Sequence, residues 1–136
     1  MTTVTGNCLC GQVSFTAEVD ENTMAFNCHC ADCQKATGAL HATNFFLPAD
    51  KVQIAGETIM FEHESDRGSK MTKHACAKCG SPIYGTNSAR EGVVTLRAGA
   101  LNERGAIKPR ANIYTDSASP NAVMDPALKA FPGMPG

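Results

Sequence analysis

Tryptophan is absent from these 136 residues, tyrosine occurs twice and phenylalanine six times. A chain of this length can still bury a real core without relying on staples. No apolar run approaches the roughly 20 residues that a helix needs to cross a bilayer. No basic block stands out, and the formal net charge is −1, so the charge footprint of a nucleic-acid binder is missing. The first residues, Met1 to Asn7, carry neither a charged segment nor an apolar one. This predicts no signal peptide and a cytoplasmic location. Nor does any stretch keep a helical period over three turns. Helical fold classes are set aside on that ground.

The chain carries short alternating segments instead. Gly11 to Glu18 places Val13, Phe15 and Ala17 on one face and Ser14 and Thr16 on the other. Met24, Phe26 and Cys28 alternate in the same way. Further strands are expected over His41 to Leu47, at Val52 and Ile54, over Thr58 to His63 with Ile59 and Phe61 on one face, over Lys70 to Ala75, over Gly92 to Arg97, and over Asn112 to Thr115. Residues 31–37 suit a short helix stopped by Gly38. Leu101 to Arg104 and Ala122 to Ala130 suit single helical turns. The proline- and glycine-rich stretch from about 120 to 136 reads as an irregular tail. The length and this pattern predict one domain spanning residues 1–136, of mainly β class with short helical turns.

Cysteine is the residue in excess. Seven occur, an odd number that a pure disulfide framework cannot use up, and a reducing compartment disfavours disulfides in any case. They fall in three clusters: Cys8 with Cys10, Cys28 with Cys30 and Cys33, and Cys76 with Cys79. Cys76-Ala-Lys-Cys79-Gly80 has the form of a zinc knuckle, two sulfurs on a tight turn relieved by a glycine. Cys8 and Cys10 offer two more sulfurs, which would complete a closed tetrahedral structural zinc. Cys28, Cys30 and Cys33 remain, three ligands with a fourth position open, as in a catalytic zinc. Two alternatives stay open on spacing. A histidine, His29, His41 or His74, could close the second site, and Cys8 and Cys10 could pair with Cys30 and Cys33. Near the central cluster, Asp32, Thr37, His41 and Asn44 are candidates for steering a reacting oxygen. Arg67, Lys70, Arg97 and Arg110 could meet a carboxylate.

Three segments, Gly6-Asn-Cys8-Leu-Cys10-Gly11-Gln-Val-Ser-Phe15, Cys28-His-Cys30-Ala-Asp-Cys33-Gln-Lys-Ala-Thr37-Gly38-Ala39 and Cys76-Ala-Lys-Cys79-Gly80-Ser81-Pro82-Ile83-Tyr84, resemble the motifs of the glutathione-dependent formaldehyde-activating enzymes, also called the centromere-protein-V family. The resemblance implies an Mss4-like, zinc-ribbon-type β fold. It implies a structural zinc on Cys8, Cys10, Cys76 and Cys79, a catalytic zinc on Cys28, Cys30 and Cys33, and glutathione and formaldehyde as small-molecule partners. The reaction implied is carbon–sulfur lyase chemistry on S-(hydroxymethyl)glutathione. Relatives commonly carry a His-Ile-Trp run where this chain has Asn112-Ile113-Tyr114. If that run walls the pocket, the pocket is smaller and more polar. The alternative function is a non-enzymatic, zinc-stabilised protein-binding module of the same architecture.

Overall fold

The computed structural model describes residues 1–135. Eleven strands and one short helix follow in the order β1 Thr2–Asn7, β2 Ser14–Val19, β3 Met24–Cys28, α1 Ala31–Thr37, β4 Ala42–Pro48, β5 Val52–Ala55, β6 Thr58–Glu64, β7 Lys70–Cys76, β8 Pro82–Asn87, β9 Val93–Arg97, β10 Ala111–Ile113 and β11 Lys129–Ala130. They form a three-stranded sheet, β1-β2-β5, and an eight-stranded sheet, β11-β10-β3-β4-β9-β8-β7-β6. The expected mainly β class is what the chain adopts.

Alternation decides which residues meet between the sheets. Val4, Val13, Phe15 and Ala17 of the first sheet's segments pack in one core cluster with Ala25, Phe45, Leu47, Ile83, Val94 and Leu96 of the second. Each strand of the larger sheet thereby turns its other residues to the opposite face. Pairing aligns those residues across β3, β4 and β9: Phe26 lies opposite Asn44, Asn44 opposite Arg97, and Phe46 opposite Thr95. This second face, with Cys28 at one end of β3, is the floor of the candidate site.

Several details differ from the expectations. Two strands, β1 and β8, have no clear signal in the sequence pattern. Thr-rich β1 alternates weakly, and β8 begins at a proline and contains Gly85. Residues 11–13 belong to a turn, closed by the Cys8 N–H on the Val13 carbonyl at 2.9 Å, so β2 starts only at Ser14. The helical turns fall at 49–51, 98–100 and 115–117, not at 101–104 or 122–130, where proline and glycine neighbours leave bends. Ile59 and Phe61 share a face as expected, but both are exposed, because β6 is the last strand of its sheet. The tail is less irregular than its composition suggests. Strand β11 pairs parallel to β10, and Phe131 and Met134 pack against the buried cluster that contains Cys28 and Cys33.

Candidate active site

The seven thiols gather into two groups. The Sγ atoms of Cys8, Cys10, Cys76 and Cys79 all lie within 4.8 Å of one another, and so do those of Cys28, Cys30 and Cys33. The first group joins the turn after β1 to the knuckle after β7. Cys8 and Cys10 sulfurs are 3.5 Å apart and those of Cys10 and Cys76 are 3.7 Å apart. Four sulfurs about 2.3 Å from a tetrahedral zinc stand about 3.8 Å from each other. The donor set and its spacing therefore fit such an ion. Backbone N–H groups point at these sulfurs: Val13 donates to Cys8 at 3.3 Å, and Lys78 and Cys79 donate to Cys76 at 3.3 and 3.4 Å. Gly80 follows with φ 79°, the left-handed conformation the knuckle needs.

Ser81 is a residue the motif reading passed over. Its hydroxyl contacts the Cys79 sulfur at 3.2 Å and accepts from the Leu9 N–H at 3.2 Å, tying the two halves together. Ser81, through its hydroxyl and its backbone, holds the Cys79 thiol down to about 5. Cys10 accepts from the Gln12 backbone, yet burial and its neighbouring thiols push it up to about 11.

The second group is built at the junction of β3 and α1. Cys28 ends the strand, Cys30 caps the helix, and Cys33 sits in its first turn. The Cys30 sulfur accepts from the Cys33 N–H at 3.2 Å. Cys30 is in an extended conformation before the helix, as a cap requires. Gly38, at φ 74°, ends the helix by donating its N–H to the Gln34 carbonyl at 2.8 Å. Gln34 in turn donates to the carbonyls of His29 at 2.8 Å and Ser117 at 3.1 Å, fixing α1 against the segment after β10.

The cluster is electrostatically divided. Hydrogen bonds from Cys28 and Cys30 hold the Cys33 thiol down to about 3 against its burial, and the charges of Arg97 and Lys73 add to this. Cys28 is driven far up by Cys30 and Cys33 and by burial. Three sulfurs in mutual contact are a donor set suited to a soft cation.

No histidine joins the three sulfurs among the described residues. The fully buried His29 ring donates from Nε2 to the Asn112 side-chain oxygen at 3.0 Å and packs on His41 at 5.1 Å. His74 shares a hydrogen bond with Thr58 and stacks on Tyr84 at 4.2 Å. The two sets also do not exchange partners, since Cys8 and Cys10 lie with Cys76 and Cys79.

The three thiols open into a cavity of about 430 Å³ over the second face of the large sheet. Of the polar candidates, Asp32 and Asn44 line it, whereas Thr37 and His41 do not. Thr37 donates to the Cys33 carbonyl at 2.8 Å and so braces the helix. Of the basic candidates, Arg67 lines the cavity. Arg97 lies beneath it, donating to Asn44 at 3.0 Å. Lys70 pairs with Glu62 at 2.8 Å, and Arg110 donates to the Glu21 carbonyl. Sequence reasoning missed Lys73, Arg90 and His63, all of them in the lining, whereas Ile113 and Tyr114, from the run expected as a pocket wall, line it too. The β6–β7 pairing, which sets Met71 opposite His63, is what brings the first and third together. Burial lowers the Lys73 ammonium, which contacts His63 Nε2. Tyr114 holds a left-handed backbone at φ 55°, a costly conformation for a bulky residue.

Residues 3–117 match the family of glutathione-dependent formaldehyde-activating enzymes. The chain belongs to that family. The family's description names glutathione-dependent formaldehyde activation, which makes an enzyme acting on these small molecules the coarse expectation for this chain, with two thiol groups able to bind metal. Among solved structures, a Rhodobacter sphaeroides protein superimposes with a TM-score of 0.60 at 15% identity, covering 93% of this chain and 98% of that one. At that identity the likeness speaks for the fold alone. No curated protein matches the sequence. No helix in the described residues is long and apolar enough to cross a membrane.

Proposed function

We propose that residues 1–136 form one cytoplasmic zinc-binding domain that catalyses the reversible addition of a thiol to an aldehyde, as a carbon–sulfur lyase of the S-(hydroxymethyl)glutathione type. The observation that carries this reading is the second thiol group: three sulfurs converge at the floor of a cavity, and among the described residues no fourth ligand joins them. In this reading Cys8, Cys10, Cys76 and Cys79 hold a structural zinc, while Cys28, Cys30 and Cys33 hold the catalytic one. Zinc bound there would supply a site at which an incoming sulfur is stabilised as thiolate near neutral pH.

The chain's own residues do the rest. Arg67 and Lys73 offer cationic donors for the carboxylates of glutathione, in a wall they share with the carboxylates of Asp32 and Asp66. Asn44, held by Arg97, presents a side-chain amide to the floor. In the forward direction the substrate sulfur forms a bond to the carbonyl carbon. The C=O double bond becomes C–O, and the thiol proton ends on that oxygen. Nothing is oxidised or reduced. Lys73, half-buried beside His63, is placed to donate a hydrogen bond to the developing alkoxide.

The test is exchange NMR on glutathione and formaldehyde with zinc-loaded protein. Exchange between free thiol and adduct is expected to exceed the protein-free rate by at least tenfold and to fall to that background in Cys30→Ala. An unaltered exchange rate with wild-type protein contradicts the proposal. The second reading, a zinc-stabilised protein-binding module, draws on one observation: Ile59, Met60 and Phe61 are exposed on edge strand β6.

A further inference from the structure

The cavity at the three thiols does not end there. A second cavity, of about 650 Å³, adjoins it and shares Phe26, Phe46, Arg90, Val93 and Met134 with it as lining. Their shared wall is on one face of the large sheet, because Cys28, Phe26 and Met24 are alternate residues of β3, and Phe46 faces Met24 across the β3–β4 pair; beyond it the second cavity reaches Glu18 and Asp20 at the end of β2. At the rise of an extended strand, Met24 stands about 13 Å from Cys28. The two cavities thus form one trough running down β3 from the sulfurs.

The chemistry changes along the trough. On the β6–β7 side of the sulfurs stand Arg67 and Lys73, with Asp66 among them. Along β3 and β4 the nearer walls are apolar, where the Phe26 and Phe46 rings meet at 5.7 Å and are followed by Met24 and Pro48, while Glu18, Asp20 and Lys51 line the far end. Arg90 marks the junction, its guanidinium 5.4 Å from the centre of the Phe46 ring. Formaldehyde has no substituent to occupy this apolar arm.

Resting on the thiol–aldehyde reading above, we infer that the apolar arm is a subsite for the substituent of the aldehyde, and that the electrophile is an aliphatic or aromatic aldehyde larger than formaldehyde. The thiol's carboxylates then lie toward Arg67 and Lys73. The carbon bonded to sulfur lies over the three cysteines, and its chain runs past Phe26 toward Met24.

S-alkylated glutathiones are stable mimics of such adducts. Their binding to the zinc-loaded protein, followed by titration calorimetry, separates the possibilities. Each fully buried methylene strengthens binding about fourfold. S-octylglutathione is therefore expected to bind at least tenfold more tightly than S-methylglutathione. Met24→Lys, at a partly exposed position, should cut that advantage at least threefold and leave S-methylglutathione unchanged. Equal affinities for the two ligands, or an octyl advantage that Met24→Lys does not alter, overturn the inference while the thiol-binding site stands. Failure of both ligands to bind overturns the reading of the site and the inference with it.

Discussion

At the scale of single residues, the two thiol groups are built by different devices. Cys28 to Cys33 rely on contact with one another, on a helix cap, and on the charges of Arg97 and Lys73. The four-thiol group leans on the Ser81 hydroxyl, which holds the Cys79 thiol well below the ordinary cysteine range. Ser81→Ala should raise that thiol. A thiol whose folded value is depressed favours the native thiolate above its ordinary value, and that advantage is lost as pH falls through the folded value of about 5. With the depression weakened, protons compete with the metal earlier in an acid titration. Zinc release from Ser81→Ala, followed with a colorimetric chelator, is expected to begin at higher pH than in wild type. An unshifted release curve would show that Ser81 only positions the turn. The cysteines were legible in the sequence because their spacing is itself the signal. Ser81, Lys73 and Arg90 were not, because a lone serine or a charged residue in a turn or a polar strand looks like solvated surface until strand pairing shows what it faces.

Among the elements, β3, β4 and β9 matter most, since each has one face in the core and the other in the site. Phe45 is fully buried in the core cluster while its neighbour Phe46 lines the trough. Phe45→Ala should therefore lower unfolding stability by about 3–5 kcal/mol, measured by chemical denaturation. A loss below about 1 kcal/mol would mean that the sheet-on-sheet core does not hold these strands. The alternation in Val13, Phe15 and Ala17, or in Val94 and Leu96, was readable directly, as was α1 with its Gly38 stop. Strands β3 and β4 were read as strands as well, but Ala25-Phe26 and Phe45-Phe46 set apolar residues on both of their faces. The sequence pattern could not reveal that the second apolar face lines a cavity. Strand β8 went unseen because Pro82 and Gly85 mimic a turn. Gly85 is required where it stands, since an added Cβ would come within 2.7 Å of the Thr72 carbonyl oxygen on β7.

For the whole molecule, the division of labour between the two thiol groups follows from what each connects. Cys8 and Cys10 follow the first strand of the small sheet, while Cys76 ends β7 of the large one and Cys79 sits in the turn after it. A metal there would join segments 66 residues apart and fasten one sheet to the other. By contrast, Cys28, Cys30 and Cys33 lie within six residues of sequence, so a metal bound to them closes almost no loop and should contribute little to folding. Zinc content per chain, read beside circular dichroism for wild type, Cys30→Ala and Cys76→Ala, tests this most directly. The account predicts about two equivalents in wild type, about one in a Cys30→Ala protein that keeps its β spectrum, and a Cys76→Ala protein that loses its fold. Unfolding of both variants alike would contradict it, making residues 28–33 a second structural clamp instead of an open reactive site.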